Sequence, residues 1–85
     1  MDKIEQMLKS AMNQFHEKKY YNKHLLGRYC YLSINYKTRQ ELVAKYYEQV
    51  RVERTDNDSI MSINGIYLFI DNSLEDYKYK LLFEF

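Results

Sequence analysis

Residues 59–70, SIMSINGIYLFI, constrain the fold of this chain more than any other stretch. Asn64-Gly65 separates two runs of β-formers. A two-residue type I′ turn needs positive φ at both central positions, which asparagine and glycine tolerate better than other residues. A turn of that length also sets the register: Ile63 faces Ile66, Ser62 faces Tyr67, Met61 faces Leu68 and Ile60 faces Phe69. Successive pairs point to opposite sides of the ribbon. Met61, Ile63, Ile66, Leu68 and Ile70 therefore share one side, and Ile60, Tyr67 and Phe69 share the other. Both sides are apolar, so the hairpin asks for two covers.

The rest of the chain supplies material for about one. Ile4, Met7, Leu8, Ala11, Met12 and Phe15 recur with helical period, which predicts an amphipathic helix over residues 2–19 capped by Asp2, with Lys18 and Lys19 near its end. Residues 20–27, YYNKHLLG, have no clear period. In RYCYLSINYKT, period two puts Cys30, Leu32, Ile34 and Tyr36 on one face, and Tyr29, Tyr31, Ser33 and Asn35 on the other. Thr38 followed by Glu41 matches a capping box and predicts a second helix from 39 to about 49, with Leu42, Val43, Tyr46 and Tyr47 buried. VRVER reads as a short strand with Val50 and Val52 inward and Arg51 and Glu53 outward. In YKYKLLFEF, Tyr77, Tyr79, Leu81, Phe83 and Phe85 alternate with Lys78, Lys80, Leu82 and Glu84.

The element order is thus α-β-α-β-β-β-β. The expected fold is a single α+β domain over residues 1–85, two helices packed on one face of a mostly antiparallel sheet of about five strands. A chain of 85 residues has room for one core and buries only about 60–65% of its unfolded surface. Two helices cover one sheet face. The opposite face is expected to carry Tyr29, Tyr31, Ile60, Tyr67 and Phe69, together with Leu82. Tyrosine suits such a place because its ring buries area while its hydroxyl meets water or a partner. The alternative is that residues 20–27, or the sheet's own curvature, close over these rings and make them core.

No catalytic, metal or cofactor signature accompanies this surface, and no enzyme activity is expected. The spacing of His16, His24 and Cys30 matches no zinc pattern. TDNDS and DNSLED gather Asp56, Asp58, Asp71, Glu75 and Asp76, but neither supplies the alternating ligands and distal glutamate of a calcium loop, so turn chemistry accounts for them. The five serines lack a nucleophile-elbow context. The lone cysteine, the charged N-terminal decapeptide and the lack of a 20-residue apolar run fit a cytoplasmic chain with no membrane span. Lys, Asn, Ile, Tyr and Phe make up 35 of the 85 residues, a bias toward AT-rich codons that fits a low-GC bacterium or one of its phages or plasmids.

These features favour a small binding protein over an enzyme. The expected occupant of the aromatic face is a partner protein, blocked sterically, as by an inhibitor or modulator carried on a mobile element. Two other occupants fit the same face. One is a second copy of the chain. The other is single-stranded nucleic acid, whose bases stack on rings while cations follow phosphates. Lys18, Lys19, Lys23, Arg28, Lys78 and Lys80 form the candidate basic rim. Against nucleic acid stand a net charge of +1 and the absence of the glycine–aromatic run of sheet-platform RNA binders.

Overall fold

The computed structural model describes residues 2–21, 29–54 and 56–84, apart from the side chains of 19–21, 29 and 84. The helical period at the N-terminus becomes α1 (Lys3–Tyr21). Asp2 caps it as expected, its Oδ1 accepting from the Glu5 N–H at 2.8 Å. Ile4, Met7, Leu8 and Ala11 are buried along one stripe, with Met12 and Phe15 half-buried beside them. Then follow β1 (Tyr29–Ile34), α2 (Tyr36–Lys45), β2 (Val50–Arg54), β3 (Ser59–Ile63), β4 (Ile66–Ile70) and β5 (Lys80–Glu84). The expected Asn-Gly turn is present, with φ 51° at Asn64 and 85° at Gly65. Its register is as read: Met61 opposite Leu68, Ser62 opposite Tyr67, Ile63 opposite Ile66.

The five strands form one sheet in the order β2-β3-β4-β1-β5. Three neighbouring pairs are antiparallel, and β1 with β4 is parallel. The fold is α+β, two helices on one sheet face. Cys30, Leu32, Ile34, Ile63, Ile66 and Leu68 line that face and form one cluster with Ile4, Met7, Leu8, Ala11 and Leu42. Beside β5, the rings of Phe15 and Phe83 stack at 6.4 Å, and Ser10 shares a 2.7 Å hydrogen bond with the Tyr79 hydroxyl. Lys45 at the end of α2 bridges to both Asp2 and Glu5 at the start of α1.

Several local expectations are corrected. The cap of α2 is Asn35, not Thr38: Asn35 Oδ1 accepts from the Thr38 N–H at 2.8 Å, which places Thr38 inside the first turn. Thr38 is instead buried, and its Oγ1 accepts from the Tyr77 N–H at 3.0 Å. Because the helix starts three residues early, Tyr36 leaves the apolar strand face and becomes exposed. α2 also ends at Lys45, short of the expected 49, so Tyr47 falls in the turn that follows and is 68% exposed. The last strand begins at Lys80, since Tyr77 has φ 63°, which no strand accommodates. Tyr77, Tyr79, Leu81 and Phe83 still pack against the core, as their alternation implied. Val52 lies on the helix side in register with Met61 and Leu68, yet the edge strand reaches past the helices and leaves it 52% exposed. Residues 22–28 and Phe85 lie outside the described residues, and with them the unassigned YYNKHLLG stretch beyond Tyr21.

Candidate interaction face

Side chains alternate across each strand, so register determines which groups share the side turned away from the helices. One cross-strand row reads Arg51, Ser62, Tyr67, Tyr31, Leu82 from β2 to β5. The next row begins with Glu53 opposite Ile60 and ends with Phe69 opposite Ser33 and Ser33 opposite Lys80. Continuing the hairpin register brings Ile60 beside Phe69. Tyr31, Ile60, Tyr67 and Phe69 are thus gathered on one surface from three strands. The backbone of Tyr29 continues that side of β1, and its side chain lies outside the described residues.

The rings interact. Tyr31 stacks on Phe69 with centroids 4.7 Å apart and planes 15° apart, and meets Tyr67 at 6.0 Å. Phe69 is the diagonal neighbour of Tyr31, since Ser33 is its direct partner, and diagonal pairs come within reach of aromatic side chains. Serine is small enough to let the two rings lean together over it. Ser33 and Ser62 are indeed buried although they point away from the core. Geometry of this kind is worth about 0.5–1.5 kcal/mol per aromatic pair beyond area burial. The stack remains open to water: Phe69 is 43% exposed, Leu82 is 52% exposed, and Tyr31, Tyr67 and Ile60 are half-buried. Next to the rings lies a hollow of about 430 Å³, lined in part by Glu48, Arg51, Glu53, Ser62 and Tyr67.

The candidate basic rim is dispersed. Lys80 belongs to the open face, whereas Lys78 lines a hollow against α1 with Lys3, Gln6 and Met7. Lys18 is exposed on α1, on the helix side of the sheet. Lys23, Arg28 and the side chain of Lys19 lie outside the described residues. Among the described side chains, the charges that edge the rings are Arg51 and Glu53 on β2 and Lys80 on β5. Arg51 and Glu53 were legible as outward residues of an alternating strand; what the sequence withheld was that β2 and β5 bound the same five-stranded face.

Elsewhere the polar groups serve structure. Asp71 accepts from the N–H and hydroxyl of Ser73, and those bonds hold its carboxyl below the usual range. Asp76 accepts from Asn35 Nδ2 at 2.8 Å and pairs with Lys37 at 3.0 Å, and these two, Asn35 first, depress it likewise. Burial pushes the Cys30 thiol up to about 11, which leaves it uncharged and a poor nucleophile at neutral pH. Among the described residues no group of three or more His, Cys, Asp or Glu side chains is placed to hold a metal ion, and no helix is long and apolar enough to cross a membrane. Comparison with family models, with curated proteins and with solved structures returns no match to this chain.

Proposed function

We propose that this chain is a small, non-enzymatic binding protein that docks its open aromatic sheet face on a protein partner and acts by covering that partner's surface. The observation that carries the reading is the stacked Tyr31–Phe69 pair, 4.7 Å apart, with Phe69 43% exposed on the side opposite both helices. Contiguous exposed apolar surface of this kind marks interaction sites. Rigid aromatic anchors ringed by charge are the usual composition of a binding hot spot, and here Arg51, Glu53 and Lys80 provide the ring. A cytoplasmic setting and an origin in a phage or plasmid of a low-GC host accord with the composition, and an inhibitor or modulator is the role that fits a rigid cover of this size.

The test is a pair of variants read two ways. Tyr67→Ala and Phe69→Ala should each weaken a purified partner complex at least tenfold, the cost of losing a ring worth more than about 1.4 kcal/mol. Their melting temperatures should fall by no more than about 10 °C, since a loss of about 1 kcal/mol lowers Tm by about 4–8 °C in a domain this small, whereas a core aromatic costs about 3–5 kcal/mol. The partner is identified by affinity capture from the native host and mass spectrometry. A melting-temperature loss of the size expected for a core aromatic would reassign the rings to the interior.

A second reading, single-stranded nucleic acid on the same face, is favoured by one observation: Arg51 and Lys80 stand at opposite edges of the ring cluster. Binding by bases on rings and phosphates on those cations would weaken steeply with salt. Titration of an oligonucleotide at two ionic strengths separates it from the protein-docking reading.

A further inference from the structure

The second row of the open face has opposite charges at its two ends. Glu53 stands on β2, Lys80 on β5, and Ile60, Phe69 and the buried Ser33 lie between them. β4, which carries Tyr67 and Phe69, is the central strand of the five. A row of this composition is complementary to itself when reversed. Turning a second copy by 180° about an axis along β4 lays its β2 over β5 and its β5 over β2, at the same height along the strands. We infer that two copies of this chain pack open face to open face about such an axis, each Glu53 meeting the partner's Lys80.

The inference rests on reading this face as a docking surface, and it adds that the surface's first occupant is its own copy. Near the axis an isologous contact brings a residue against itself, so the Tyr67 and Phe69 rings of the two copies meet. The two Tyr31–Phe69 stacks then merge into one aromatic core, bordered by two symmetric ion pairs. Sheets packed in this way keep their strands within about 30° of each other, and the long Lys80 side chain absorbs the offset that such a twist makes at the row ends. Arg51, one row along, lays its aliphatic stem toward the exposed Leu82 of the partner subunit.

The size of the face limits the affinity. Five strands about 4.8 Å apart and five residues of about 3.3 Å each outline a footprint on the order of 400 Å². Counted on both copies that is about 800 Å², short of a standard stable interface and in the class of weak, transient contacts, so dissociation belongs toward the high micromolar range. A foreign partner would then compete with the second copy, and self-association would hold the face closed when the protein is abundant.

Sedimentation velocity of the full chain across low to high micromolar concentrations, with charge swaps, tests this. The weight-average mass should rise from one chain to two. Glu53→Lys should weaken the dimer roughly tenfold or more, because it sets two like charges together at both ends. Lys80→Glu should do the same, though Asp71 lies near enough to Lys80 to feel its charge, so that arm also perturbs the subunit. The double swap Glu53→Lys with Lys80→Glu should restore dimerisation to within a few-fold of the parent. Glu53→Gln provides a milder arm, with a smaller loss, should a swap unfold. A parent chain that stays monomeric throughout overturns the inference, as does a dimer indifferent to both swaps or one that the double swap fails to restore. Failure of the underlying reading looks different: Phe69→Ala would then lower the melting temperature as a core substitution does, whatever the mass. A monomer whose Phe69→Ala variant melts normally leaves the docking face standing and assigns it to a foreign partner.

Discussion

Asn35 does three jobs at once. Its Oδ1 caps α2, and its Nδ2 donates to the Leu74 carbonyl at 3.2 Å and to Asp76 at 2.8 Å. Asn35→Ala should therefore cost more than an ordinary cap. About 1 kcal/mol for the cap and a further ~1–2 kcal/mol for the partners left unsatisfied is the expected loss in denaturant unfolding. Gly65 is a contrasting residue: a Cβ added there meets nothing within 4 Å, so only its φ of 85° matters. Gly65→Ala should cost about 1–2 kcal/mol, the price of the left-handed region alone, with the hairpin otherwise unchanged. Asp76 makes a pH-dependent contribution. Its folded pKa lies below the ordinary 3.8, because Asn35 and Lys37 favour the carboxylate. Its stabilisation is thus fully present above the unfolded value and is lost as pH falls through the folded one. Thermal melts between about pH 5 and pH 2 should show a decline, to which Asp2 and Asp71 also contribute, and Asp76→Asn should make it shallower.

At the level of elements, α2 is held by few anchors. Only Thr38 and Leu42 of its ten residues are buried, against four among the described side chains of α1. A ten-residue helix is marginal on its own, so its stability is borrowed from those anchors. Leu42→Ala should cost about 2–5 kcal/mol, a large share of the roughly 4–13 kcal/mol that a chain this long has in total. Urea titration reads it directly. This helix also marks where sequence patterns stopped being sufficient. Asn35 and Thr38 are both good caps, three positions apart, and the Glu41 behind Thr38 favoured the wrong one. The choice is made by residues 36 and more positions away: Asn72 Oδ1 accepts from the Tyr36 N–H at 3.0 Å, and Asp76 takes the amide of Asn35. No local window contains that information. The hairpin was legible because its determinant, Asn64-Gly65, lies inside the element, and α1 because its stripe and its cap are contiguous. The extent of the last strand was not, because Tyr77 adopts φ 63° to bring its N–H to Thr38, a constraint from across the fold.

For the whole molecule, the supply of helices decides what is exposed. Two helices hide one face, and the other face keeps its rings half open. That division followed from the alternation within each strand, which is why Tyr31, Ile60, Tyr67 and Phe69 could be grouped before the sheet order was known. The order itself depends on pairings far apart in the chain and left no local trace. It is also what joins Arg51, Glu53 and Lys80 into the border of one surface. The placement of β1 has one further outcome. This strand comes first in the chain but sits between β4 and β5, bonded to both. Neighbouring segments can pair β2, β3 and β4 as a meander, but β1 finds its place only once β4 and β5 are available, and completing the sheet must wait on long loops. Until β5 docks, β1 would present a raw hydrogen-bonding edge to any passing strand, so a crowded, half-made population of this chain is where misassembly should begin.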